Sequence, residues 1–200
     1  MTSAGRSERS GPAHRLNESA RLMALAAADQ RLLGALERVA QRTAAALRRG
    51  GRLLVCGNGG SAAQAIHFCG ELVGPFLDRQ RRGFAAIALG TDLSALTAIA
   101  NDLGYEKVFA RQVEALGRRG DVLWALTTSG RSPNVCEALR AARARGMWRV
   151  LFTNDHGGTA RELADEALLT PKASTPRVQE LHLAYGHWLC EAIEARLIDS

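Results

Sequence analysis

Lysine is nearly absent from this 200-residue chain: Lys107 and Lys172 are the only two among 26 basic residues, so arginine carries almost all of the positive charge. Cysteine is also scarce. Cys56, Cys69, Cys136 and Cys190 lie far apart and form no CxxC pair, which disfavours a thiolate zinc site or a disulfide framework and points to reduced core thiols. No apolar run reaches the about 18 residues that a membrane span needs. The opening MTSAGRSERSGPAHR has no apolar core of the kind a secretory signal carries, so a cytoplasmic protein is expected. Against these absences, 46% of residues are hydrophobic and 23% charged, the composition of one globular domain with a real core. The net charge of +6 suits a nucleic acid or a phosphorylated small molecule equally well.

Residues 1–16 are polar and show no periodicity, and they are expected to be a flexible tail before a single domain spanning 17–200. From Leu16 to Arg49, apolar residues (Leu22, Met23, Leu25, Leu32, Leu33, Leu36, Val39, Ala46 and Leu47) recur at spacings of three and four. That is one long amphipathic helix or two in series, packed either on its own domain or against another copy of the chain. Beyond Gly50-Gly51, short runs rich in β-branched and apolar residues start at Leu53, Phe84, Val122, Val150 and Ala167 and alternate with helical stretches. This alternation predicts an α/β fold with a mainly parallel sheet covered on both faces. Ligands of such sheets bind at the carboxyl ends of the strands.

Two loops at those ends carry glycines and hydroxyls. Cys56-Gly57-Asn58-Gly59-Gly60-Ser61 follows the first strand and opens a helix, where backbone N–H groups can face an anion. It has neither the third glycine of a dinucleotide fingerprint nor the Gly-Lys-Ser/Thr of a nucleoside-triphosphate loop. Thr127-Thr128-Ser129-Gly130-Arg131-Ser132-Pro133 follows the third strand with more hydroxyls than a helix cap uses. Together the loops suggest a phosphorylated ligand, the plain alternative being ordinary turns. His67 and Glu71 share a helix face at i, i+4, and Gln179 and His187 stand about two turns apart on the last helix. If these helices converge, their nitrogen and oxygen donors suit zinc or a substrate carbon; otherwise the four are separate surface residues.

The stretches CGNGGSAAQAIHFCGEL, TAIANDLGYEKVFARQVEALGRRGDVLWALTTSGRSPNV and TPRVQELHLAYGH resemble the sugar isomerase (SIS) fold and, within it, the phosphoheptose isomerases. The resemblance covers about residues 17–197. It implies a three-layer sandwich with a five-stranded parallel sheet flanked by helices, a long N-terminal helix, and a homotetramer with active sites at subunit contacts. The activity it implies is conversion of sedoheptulose 7-phosphate to D-glycero-D-manno-heptose 7-phosphate through an enediol(ate). Glu71 and His187 are then the catalytic pair, and His67, Glu71, Gln179 and His187 the ligands of one zinc ion per subunit. Substrate contacts fall to Asn58, Gly59, Gly60, Ser61, Glu71, Asn101, Asp102, Thr127, Thr128, Ser129, Ser132 and Gln179.

The chain departs from the family pattern in four places. Gln64 stands where an Asp is common and Pro75 where an arginine often faces the ligand; the 78–82 loop is one residue longer, and Thr127 replaces a serine. These differences bear on which sugar phosphate is used, leaving a related isomerase of a natural-product pathway as an alternative. A non-enzymatic relative with the same fold binds the bacterial replication initiator protein, but it lacks equivalents of Glu71 and His187. Elsewhere the plain readings apply: His14 in the tail, His156 in a solvent-exposed loop, His182 as a packing neighbour of the site. The tryptophans belong to core or interface, and the arginine-rich 139–149 stretch to a solvated helix face. No motif for direct nucleic-acid reading is present.

Overall fold

The computed structural model describes residues 11–198. The first helix, α1 (Pro12–Ala28), starts on Pro12, whose fixed φ and missing N–H suit the first helical position. Of the flexible tail expected over residues 1–16, Pro12 to Leu16, His14 included, are instead helical, and residues 1–10 lie outside the described residues. Asp29 divides the amphipathic stretch in two. Its backbone is extended and its carboxylate accepts from the N–H groups of Arg31 and Leu32, which starts α2 (Gln30–Arg48). Leu32, Leu36, Val39, Ala40 and Leu47 bury one face of α2, whereas α1 buries only Leu22 and Ala26 and leaves Leu16 and Leu25 exposed.

Five strands follow: β1 (Leu53–Gly57), β2 (Ala86–Ala88), β3 (Val122–Leu126), β4 (Trp148–Thr153) and β5 (Glu166–Leu169). All pair in parallel in the order β2-β1-β3-β4-β5. Helix α3 (Gly60–Val73) follows β1, and α4 (Leu93–Leu103) follows β2. A 3-10 turn at Tyr105–Lys107 leads to α5 (Val108–Leu116). Gly104 with φ 92° separates this turn from α4. Helix α6 (Pro133–Ala144) links β3 to β4, and α7 (Thr175–Ile198) closes the chain.

Every residue of β1 and β3 is buried. Alternate side chains point to opposite faces, so Leu53, Val55, Val122, Trp124, Leu126 and Phe152 pack under α2, α3 and α7. Their neighbours Leu54, Cys56, Leu123, Ala125 and Leu151 pack under α5 and α6. This is the sheet covered on both faces that the strand pattern predicted, and the three-layer sandwich that the resemblance implied. The chain reverses direction across the sheet between β1 and β3, which opens a crevice at their carboxyl ends. All four cysteines are buried and unpaired, and burial pushes the Cys56 thiol up to about 12. The arginines of 139–149 are less uniform than a solvated face implies: Arg140 and Arg143 are exposed, but Arg149 holds Asp165 through two nitrogens.

His182 on α7 is fully buried edge-on against Phe152, and neither ring nitrogen makes a hydrogen bond of normal geometry. Burial lowers its pKa from 6.5 to about 4, with only a partial offset from the Thr153 backbone. The unfolded chain therefore takes up a proton in that window and the folded one does not. Stability is expected to fall as pH drops from about 6.5 through 4, by a few kcal/mol. Urea midpoints across this range check it, and His182→Leu is expected to flatten the slope; an unchanged slope would refute the assignment.

Candidate active site

The site is built on two demands: α3 must start at the β1 crevice, and α7 must lie close beside it. Gly186 meets the second. A Cβ there would overlap the ring of Phe68, so only glycine lets the two backbones come this near. Phe68 is itself anchored, stacked on Phe152 and edge-on to Trp124 at centroid distances of 6.4 Å. The residues next in sequence to this contact are His67 and His187. Their Nε2 atoms stand 2.7 Å apart, with the rings nearly perpendicular at 76°.

One turn along α3, the Glu71 carboxylate lies 3.4 Å from His67 Nε2. The donor atoms of His67, Glu71 and His187 all fall within 4.8 Å of one another. Two imidazoles and a carboxylate converging on one point form a donor set used by catalytic zinc, which keeps a further position for water or substrate. The arrangement thus fits the expected metal. Cys69 and Cys190 are neighbours of the cluster, but burial pushes the Cys69 thiol up to about 12. The Cys190 thiol is pushed up as well, by burial first and then by the charge of Glu71. Both stay protonated at neutral pH and make poor ligands.

Gln179, the fourth residue expected in this set, packs over the first turn of α3. Its amide lies against Gly60, where a Cβ would come within 2.5 Å of the amide nitrogen. Gln64 donates to the Gln179 carbonyl at 2.6 Å and so ties α3 to the first turns of α7. The tie is made by the residue at which the resemblance led one to expect Asp.

The phosphate-type loops meet across the crevice. Asn58 and Asn134 exchange two amide hydrogen bonds of 2.9 and 2.8 Å, and Tyr105 donates to Asn58 at 3.1 Å. With Glu106, Ser132 and Pro133 these residues line a cavity of about 310 Å³. Ser132 stands at the N-cap position of α6 but makes no cap; its hydroxyl lies 3.0 Å from that of Thr127. Ser129 is 3.4 Å from Thr127 on the other side and accepts from the Arg131 N–H. The hydroxyls are therefore gathered together rather than spent on capping. Gly130 (φ 65°) supports this loop from behind, its carbonyl accepting from Ala160 N–H at 2.9 Å. Thr128 is half-buried beside them, and Ser61 is buried in the first turn of α3.

Asn101 and Asp102 are brought to the exposed last turn of α4, where Asn101 donates to Asp102 at 2.7 Å. His182 lies in the core beneath the site, not in it. Sequence reasoning missed Asn134, Tyr105 and Gly186. Gly186 had a legible signal, because a glycine inside a long helix costs about 1 kcal/mol and asks for a packing reason. Asn134 and Tyr105 had none beyond their place next to recognised motifs.

A family model described as SIS domain matches residues 16–153. A phosphoheptose isomerase of Bradyrhizobium sp. (strain BTAi1 / ATCC BAA-1182) is 52% identical over 186 residues, covering 93% of each chain. A solved phosphoheptose isomerase from Neisseria gonorrhoeae superposes with a TM-score of 0.83 at 41% identity, covering 90% of this chain and 96% of that one. Another, from Francisella tularensis, gives 0.88 at 32% identity over 96% and 98% of the two chains.

Helix propensity alone would make Gly186→Ala stabilising by about 1 kcal/mol. Overlap with Phe68 is expected to reverse the sign, costing about 1–3 kcal/mol. It is also expected to weaken binding of added zinc by separating His67 from His187. Urea unfolding and zinc titration measure the two effects, and a stabilised variant with unchanged zinc affinity would contradict the close approach.

Proposed function

The chain belongs to the SIS domain family and, within it, to the phosphoheptose isomerases, and on that premise we propose that it converts sedoheptulose 7-phosphate to D-glycero-D-manno-heptose 7-phosphate. The observation that carries this reading is the convergence of His67, Glu71 and His187 from two helices, the first of which opens at the glycine loop.

Ketose-to-aldose isomerisation moves one proton from C1 to C2 and another between the two oxygens. Glu71 takes the proton from C1 and returns it to C2. His187, from the facing helix, moves the proton between O1 and O2, so the enediol(ate) forms and collapses without a redox cofactor. His67 and Gln179 hold the reacting end of the sugar. His67, Glu71 and His187, with Gln179, would also hold one zinc ion per subunit, which when bound polarises the carbonyl as a Lewis acid. The 7-phosphate is held by Asn58, Gly59, Gly60 and Ser61 and by Thr127, Thr128, Ser129 and Ser132, far enough from C1 to orient the chain. Asn101 and Asp102 complete the substrate contacts from the last turn of α4.

We further propose a homotetramer. The His67 side chain is 43% exposed, an open site that a second copy would close. Leu16 and Leu25 on α1, Ile66 and Val73 on α3, and Leu93 and Leu103 on α4 offer apolar surface for that contact. Among the described residues no helix is long and apolar enough to cross a membrane. A purely regulatory protein would have no use for the converging triad. Purified protein is expected to turn over sedoheptulose 7-phosphate, and Glu71→Gln to lower kcat by on the order of 10²–10⁴-fold with the fold retained. Coupled assay and circular dichroism measure both; wild-type protein that is inactive with and without zinc would refute the proposed substrate.

A further inference from the structure

Arg81 sits in the loop between α3 and β2, and its side chain is only 3% exposed. It forms an ion pair with Glu194 of α7, itself 4% exposed, and its guanidinium lies over the Phe84 ring at 4.4 Å. The remaining Arg81 donors reach the carbonyls of Glu71 at 2.6 Å, Leu72 at 2.9 Å and Arg82 at 3.0 Å. Glu194 in turn accepts from the N–H groups of Leu77 and Asp78 at 3.0 and 2.9 Å. A buried ion pair is tolerated when its remaining hydrogen-bonding positions are filled, as they are here.

The bond to Glu71 has a covalent reason. In a helix the Glu71 carbonyl would accept from the residue four further on, but that residue is Pro75, which has no N–H. Arg81 supplies the missing donor and places a cation at the carboxyl end of α3, where the helix dipole favours it. Glu194 follows His187 by seven residues, two turns along the same stripe of α7. One guanidinium thus joins the backbone of Glu71 to the face of α7 that carries His187. With the Gly186–Phe68 contact, it fixes the two helices of the triad at a second point.

We propose that Arg81 and Glu194 are a positioning pair for the active site, holding the Glu71 backbone in register with His187 so that carboxylate and imidazole face the same substrate carbon. The inference rests on the isomerase reading for its kinetic consequence, but not for its structural one. Neither residue touches substrate. Their effect falls on the placement of Glu71, where small displacements are costly to proton transfer.

The test compares wild type with Arg81→Lys, Glu194→Gln and the double variant Arg81→Met/Glu194→Leu, which removes both buried charges together and so avoids leaving one unpaired. Folding is followed by circular dichroism, turnover by steady-state kinetics with sedoheptulose 7-phosphate, and the triad's geometry by calorimetric titration with zinc alone. In variants that fold, kcat is expected to fall about 10–100-fold with KM nearly unchanged, and zinc affinity to weaken about 10-fold. Arg81→Lys is expected to fall between wild type and the double variant, since an ammonium cannot serve Glu194 and both carbonyls at once. Any folded variant with wild-type kcat and zinc affinity overturns the proposal, which leaves the pair a merely structural role. Wild-type protein without turnover but with zinc binding refutes the isomerase reading, and the titration then decides on the pair alone. Absence of both in wild type removes the site, and the pair's role with it.

Discussion

The approach of α3 to α7 is the contact on which the active site depends. Phe68 is held in an aromatic cluster with Trp124 and Phe152 on one face of the sheet, so α3 cannot shift without disturbing the core. Gly186 lets α7 close onto that ring, and the flanking positions, His67 and His187, are then forced to meet. The close-packed core supplies the rigidity and glycine supplies the room. The proposed catalytic side chains are partly exposed, while their placement is set by buried, apolar neighbours one residue away.

Polar ties extend this arrangement along the helix pair. Gln64 bonds the Gln179 carbonyl near the start of α3, and Arg81 joins Glu71 to Glu194 near its end. Four points along α3 are thereby referenced to α7. The proposed substrate loops are stabilised differently, through the Asn58–Asn134 amide pair and the backing of Gly130 by the loop that leads to Ala160. A rigid reacting end beside loops gathered around hydroxyls is a sensible division for a long, phosphorylated chain, because phosphate binding can orient a substrate whose bond changes occur at the other end.

The arginine surplus is only weakly connected with the ligand. Arg81 is used inside the protein, and Arg149 and Arg38 pair with Asp165 and Glu166 at the edge of the sheet. Net charge was therefore a poor guide to the partner. The informative features were local: glycines where backbone must come near, hydroxyls beyond the number a helix cap needs, and a histidine and a glutamate one turn apart.

The alternation of strands and helices, and the covering of the sheet on both faces, could be read from the sequence because continuous apolar runs and three-to-four spacings follow directly from burial on two faces or one; the strand order could not. The i, i+4 pairing of His67 with Glu71 was legible for the same reason, being a property of a single helix. The resemblance to phosphoheptose isomerases joined these residues to His187 and Gln179, which spacing alone left open. What only the tertiary structure decided are relations between segments distant in the chain: the Gly186–Phe68 approach, the Asn58–Asn134 pair, and Arg81 substituting for the N–H that Pro75 lacks. Each depends on where two backbones lie relative to one another to within about an ångström. Periodicity records which side of an element is buried, but the distance at which its partner lies is set by the packing of the whole core.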